Sequence, residues 1–214
     1  MGQALAGTNK SLVVASGTLS VADGTDRVAV ESDAAIAHPG LPRKSEAAAM
    51  ALVPTGVRAS VVRLPPTVHG DGDKAFIPLV IKAAREKGVS AYIGDGLNRW
   101  PSVHVNDAAR VFVAAVTKGK AGAIYHAIGD EGVPIIKIAE VVGKHLGVPV
   151  VSKAAGDEAA AHFGFLARML AIDNRTSGER TQRELGITLK ENGLIADLEL
   201  GHYFEAGRTT LPGL

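Results

Sequence analysis

The chain has 214 residues, of which 46% are hydrophobic and 21% charged, with a formal net charge of +1 and no cysteine. That length suffices for one or two domains with a real core. The near-zero charge and 4% aromatic content argue against nucleic acid or an anionic membrane as partner, and the lack of cysteine excludes disulfides and thiolate chemistry. No apolar stretch reaches the length of a membrane span. Residues 1–7 lack the basic region and long apolar core of a signal peptide. A cytoplasmic protein is therefore expected.

In chain order, residues 1–6 read as the end of a helix closed by Gly7. Residues 12–15 are a buried strand, followed by Ser16-Gly17-Thr18, and residues 19–42 are mostly loop. Residues 44–52 hold the best helix formers. Residues 57–64 are an apolar run rich in valine, bounded by Gly56 and Pro65-Pro66, the pattern of a short buried strand in a parallel sheet. Loops leaving the carboxyl ends of such strands are where ligands sit, which points to Gly70-Asp71-Gly72 and its surroundings. An amphipathic helix is expected over 76–87, closed by Gly88, then a strand at 91–93. Asn106 or Asp107 is expected to cap a helix over 108–116. Next come a strand at 123–128, a helix over 133–146, a strand at 148–151, and helices over 157–172, 176–185 and 191–204. The seven histidines never fall into a metal-ligand spacing, and neither a Gly-x-Ser-x-Gly elbow nor a Walker A sequence is present.

Arg63-Leu64-Pro65-Pro66-Thr67-Val68-His69-Gly70 resembles the strand and loop of the extended short-chain dehydrogenase/reductase family, the NAD-dependent epimerase/dehydratase group. That family carries an Arg-Pro-x-x-Val-Tyr-Gly type sequence there, with tyrosine where this chain has His69. Gly94-x-Gly96-x-x-Arg99 followed by Val103-His104-Val105-x-Asp107 resembles the family's substrate-lobe loop and returning strand. The resemblance runs to about Gly186 and covers the C-terminal part of a family member. It implies an α/β fold, with a partial Rossmann-like parallel sheet (its second half) and a small C-terminal substrate lobe. The core would be 1–70 plus about 101–130, and the lobe 71–100 plus 131–214. It further implies that Ser16 and Thr18 hydrogen-bond the reacting oxygen and that Pro65, Thr67 and Val68 line the cofactor. His69, Asn98 and Arg99 would hold the substrate. Read without the resemblance, the two hydroxyls equally satisfy backbone at a strand end. Arg99 then reads as a surface ion pair, and Trp100 as a core plug.

Two expected features are missing. The family's Tyr-x-x-x-Lys pair would fall at His38 and Pro42, and none of the three tyrosines has a lysine four residues on. His38 is the remaining candidate for proton transfer. The glycine-rich turn that cradles a dinucleotide pyrophosphate has no counterpart upstream of Leu12. The sequence thus suggests a truncated or divergent NAD(P)-dependent epimerase/dehydratase-like oxidoreductase for a small carbonyl, hydroxyl or sugar-like substrate. The missing turn counts against NAD or NADP in this chain alone. One alternative is a non-catalytic binding or regulatory protein on the same scaffold. A lesser one is a hydrolase combining Ser16 with His69 or His104 and Asp71 or Asp107. Without a preceding strand, residues 12–15 form an apolar sheet edge, which a second copy of the chain or a rearranged N-terminal segment is expected to cover.

Overall fold

The computed structural model of the chain describes residues 2–36 and 44–205. A short helix α1 (Gly2–Leu5) turns at Gly7, in the left-handed region at φ 72°, into strand β1 (Ser11–Gly17). Helix α2 (Ser45–Met50) precedes β2 (Arg58–Leu64), which Pro65-Pro66 separates from β3 (Thr67–His69). Then come α3 (Phe76–Lys87), β4 (Ser90–Ile93), β5 (Arg99–His104), α4 (Val105–Lys118) and β6 (Ile124–His126). The chain continues through β7 (Asp130–Pro134), α5 (Ile135–Leu146) and β8 (Val150–Lys153). Four short helices follow: α6 (Asp157–Phe163), α7 (Leu166–Leu170), α8 (Glu179–Leu185) and α9 (Leu194–Glu199).

The fold is α/β with parallel sheets, as the sequence predicts. One sheet has the order β1-β2-β6, all parallel. Its register pairs Val14 with Val61 and Val61 with Ile124, so one face carries apolar side chains toward α2. Val13, Val62 and Tyr125 face the other way, into a core with Val111, Ala114 and Leu185 from α4 and α8. A second sheet, β3-β5-β7, pairs β3 with β5 in parallel and β5 with β7 antiparallel. The larger core gathers Ile77, Ile81, Trp100, Val142, Leu166, Leu194 and Leu198 around it. Trp100 is the predicted plug, buried and edge-on to Phe76 at 5.5 Å.

Several expected boundaries shift, each for a local reason. The helix expected over 157–172 is two helices, because Gly164 adopts φ 59°, ψ −132°, a conformation open to glycine and costly for other residues. The helix expected from 133 starts at Ile135, since residues 130–134 are drawn into β7 by pairing with β5. Strand β3 was not foreseen: three residues between Pro66 and Gly70 show no periodicity, and only β5 makes them a strand. The expected cap for 108–116 is corrected too. The helix begins at Val105, and the side chain of His104, not Asn106 or Asp107, accepts the backbone N–H of Asn106. The last two expected helices shrink to Glu179–Leu185 and Leu194–Glu199. Among the described residues, no helix is long and apolar enough to cross a membrane.

Candidate functional site

The carboxyl ends of β1, β2 and β6 carry a polar row. The register aligns Ser16 with Arg63 and Arg63 with His126, so three polar side chains stand on the face that α2 covers. Arg63 is fully buried, which demands compensation of its charge. Glu46 of α2 supplies it as a fork: Arg63 Nε donates to Oε1 at 2.9 Å and Nη2 to Oε2 at 2.8 Å. Nη1 donates to the Asp33 carbonyl at 3.0 Å and lies 3.4 Å from His126 Nε2. The other His126 nitrogen, Nδ1, meets the Ser177 carbonyl at 2.9 Å, which places its proton there and leaves Nε2 to accept from Arg63. Burial pushes the His126 pKa down, so the ring is neutral. Burial alone would raise the Glu46 carboxyl. The Arg63 fork outweighs it, with the Ser16 and Ser20 hydroxyls helping, and holds Glu46 below its ordinary value. Glu31, also buried, accepts from the Thr181 amide and hydroxyl at 2.8 and 2.7 Å, and Thr181 Oγ1 accepts the His126 N–H at 2.7 Å. Five segments are thereby pinned at the sheet edge.

The residues singled out in the sequence distribute unevenly around this row. Ser16 belongs to it. Thr18 does not: its buried hydroxyl accepts from Asn174 Nδ2 at 3.0 Å, and Asn174 in turn accepts from Thr176 at 3.1 Å. That is the bland role of satisfying buried polar atoms. His38 lies outside the described residues. Pro65 and Thr67 are buried, the Thr67 hydroxyl has no partner among the described residues, and Val68 lines a cleft. Asn98 donates to the carbonyls of Leu170 and Ile172 at 2.6 and 3.3 Å, clamping α7 rather than facing a cleft. Arg99 gives its fork to Asp173, at 3.2 and 2.6 Å, and also pairs with Asp26. Its hydrogen bonds to both carboxylates raise its pKa. In this structure the Arg99 guanidinium is held by carboxylates of the chain itself, as the ion-pair reading expects.

His69 sits at a second cluster, at the ends of β3 and β5. Its Nδ1 lies 2.8 Å from Asp197 Oδ2 of α9, and its Nε2 is buried without a partner among the described residues. Burial lowers the His69 pKa, against the opposing pull of Asp197. Tyr203 closes the cluster: its hydroxyl accepts the Gly70 N–H at 2.8 Å and lies 3.1 Å from Asp73 Oδ2. Burial raises the pKa of both Tyr203 and Asp73. Two clefts flank it, of about 560 Å³ and about 410 Å³, sharing Asp71 and Val105. Among the described residues the Ser, His and Asp of the hydrolase alternative do not come together. A triad needs a hydroxyl at the outer histidine nitrogen; Ser16 stands with Arg63 instead, and among the described residues no hydroxyl meets His69 Nε2. Asp107 is taken by Arg110 and by the amides of Lys190 and Glu191.

A dinucleotide's pyrophosphate calls for a glycine-rich turn from a strand into a helix N-terminus. Among the described residues β5 passes into α4 at His104–Val105 and β7 into α5 at Pro134–Ile135 without a glycine, and the one Gly-x-Gly turn from a strand into a helix, Gly70-Asp71-Gly72 between β3 and α3, leaves the mixed sheet β3-β5-β7 and carries the carboxylates of Asp71 and Asp73 where a phosphate would sit. The described residues therefore do not fit that part of the nucleotide. Sequence reasoning missed Glu46, His126 and Asp197 as partners. Arg63 in a buried strand was the available signal, since a buried guanidinium requires a carboxylate. Asp197 is 128 residues from His69, and no local pattern announces it.

Residues 44–128 match the NAD dependent epimerase/dehydratase family. An uncharacterized protein of Schizosaccharomyces pombe is 45% identical over 205 residues, covering 95% of this chain and 68% of that one. An uncharacterized protein of Saccharomyces cerevisiae is 39% identical over 201 residues, covering 94% and 66%. The chain thus spans about two thirds of these relatives (68% and 66%). In fold it is similar to the dTDP-glucose 4,6-dehydratase DesIV of Streptomyces venezuelae, solved with NAD bound. The TM-score is 0.72 at 21% identity, covering 92% of this chain and 61% of that one. The matched segment holds the Glu46–Arg63–His126 row, and the sheet order and loops agree with the sequence pattern, so this chain belongs to the NAD-dependent epimerase/dehydratase family.

Proposed function

We propose that this chain forms the substrate-facing part of an NAD(P)-dependent epimerase/dehydratase-like oxidoreductase acting on a small carbonyl, hydroxyl or sugar-like substrate. The observation that carries this reading is the polar row of Ser16, Arg63 and His126 across three parallel strands at their carboxyl ends, where ligands of open α/β sheets sit. Ser16 is the hydroxyl for the reacting oxygen, and Pro65, Thr67 and Val68 are the residues for the nicotinamide side. The pyrophosphate then needs chain beyond the free edge of β1, which among the described residues pairs only with β2. We assign that edge to a second copy of the chain, with the cytoplasm as the compartment. Light scattering on a sizing column should give a dimer; a monomer at high concentration would refute the covered edge.

A second reading, a non-catalytic binding protein, is favoured by the absence of any tyrosine followed by lysine four residues on. Titration with NADH and NADPH, read by nucleotide fluorescence and thermal shift, separates the two. Saturable binding that strengthens with protein concentration is expected. No binding at millimolar nucleotide would remove the oxidoreductase reading from this chain and leave the binding protein.

A further inference from the structure

Helix α4 lies on the Val13 and Val62 face of the β1-β2-β6 sheet and packs on both β1 and β2. At about 100° per residue, its surface divides into two flanks on either side of the buried Ala108, Val111 and Ala115. One flank is tied down within the chain. Asp107 accepts the amides of Lys190 and Glu191, Arg110 pairs with Asp107 and Glu191, and Lys118 Nζ donates to the Leu185 carbonyl at 2.9 Å. Leu185 ends α8, which packs on β6, so this flank looks toward the β6 side of the sheet. The opposite flank therefore looks toward the free edge of β1. It carries Val105, Ala109, Phe112 and Val116, within about 60° of one another around the helix. Val105 is 40% and Val116 47% exposed, Ala109 is exposed, and Phe112 is half-buried.

Edge and flank thus meet on one side of the molecule, and neither is guarded. Strand β1 contains no charge and no proline, the usual protections of a sheet edge. Among the described residues it pairs with β2 alone, and its Ala15 carbonyl meets the Ser45 hydroxyl at 3.5 Å. A two-fold axis normal to the sheet beside β1 pairs that strand antiparallel with the β1 of a second copy. The same axis keeps both α4 helices on one face. The paired strands then stand about 4.8 Å apart. Because α4 rests on both β1 and β2, it lies about 5 Å from the axis, which puts the two helices about 10 Å apart. Packed helices stand at that distance. One operation therefore covers both features, and the four flank residues bring no like charges together.

We propose that Val105, Ala109, Phe112 and Val116 of α4 form, with the edge of β1, a single interface for a second copy of this chain. In it α4 packs antiparallel on its mate above a continuous sheet of order β6-β2-β1-β1-β2-β6. The proposal rests on the assignment of the β1 edge to a second copy and adds a helix pair to it. The test is sedimentation equilibrium of the full chain over a concentration series, with circular dichroism to confirm that each variant is folded. Ala109→Glu and Val116→Glu each place a carboxylate from both copies beside the axis without touching the edge of β1. Each should weaken the dimer at least tenfold. Val113→Glu is the control. Val113 is 64% exposed and points away from the sheet, outside the helix pair, so this variant should dimerise as the wild type does. Dimers of unchanged strength in folded Ala109→Glu and Val116→Glu would overturn the helix pair and leave the strand edge standing. Equal weakening by Val113→Glu would overturn it too, by putting the contact on another face. A wild-type monomer throughout would remove the helix pair and the covered edge together.

Discussion

Replacing Glu46 by glutamine tests the polar row most directly. The Arg63 side chain is 0% exposed and its Glu46 partner 14%. Glutamine keeps one acceptor for the guanidinium, loses the second bond of the fork, and leaves a buried positive charge facing a carbonyl at 3.0 Å and a neutral imidazole at 3.4 Å. Removing one member of a buried ion pair costs about 3–5 kcal/mol, since the other charge stays behind uncompensated. With a urea slope of about 2–3 kcal/mol/M, the unfolding midpoint should drop by about 1–2 M with the slope unchanged. The pH dependence has a defined sign. The folded pKa of Glu46 lies below its unfolded value, so its contribution is fully present above the unfolded value near 4.5 and is lost as pH falls through the folded one. Wild-type stability should fall with acid over that window, and the part due to Glu46 should vanish in Glu46→Gln. The double variant Glu46→Leu, Arg63→Met should recover much of the loss, because it removes both charges. A Glu46→Gln midpoint within about 0.3 M of wild type, less than 1 kcal/mol at that slope, would refute the buried pair as described.

Trp100→Ala should cost about 3–5 kcal/mol in a urea melt, since it empties the centre of the larger core. Gly70→Ala should cost about 1–3 kcal/mol and shift the His104 side-chain NMR signals. Residue 70 has φ 121°, and the added Cβ would meet His104 Nε2 at 2.7 Å and Val105 at 3.0 Å. Asn174→Ala should lower the thermal midpoint by an amount equivalent to about 1–3 kcal/mol, by leaving the buried Thr18 and Thr176 hydroxyls without their shared partner. Near-wild-type behaviour in any of these would count against the corresponding contact.

How much was legible in the sequence differed by length scale. Strands β1 and β2 and helices α3 and α5 are readable because each carries its own period and stop signal, such as Gly88 and Gly147 in the left-handed region at the ends of the two helices. β3 and β7 were not, since their strand character comes from β5 between them. The site followed the same rule. Ser16 and Arg63 were visible at the ends of apolar strands, whereas Glu46 was one acidic residue in an alanine-rich helix until the fold set it against Arg63. Arg99 repeats the pattern: its motif was visible locally, while its partner Asp173, 74 residues away, was not.

The two sheets are stitched together at three places with almost no slack. Two prolines lie between β2 and β3, β5 runs into α4 without a spare residue, and three residues separate β6 from β7. Proline fixes φ at the first of these. Three short splices between the same two sheets restrict how far one can move against the other. With so little chain between them the two sheets should unfold together, and the chain should melt as one piece rather than lobe by lobe.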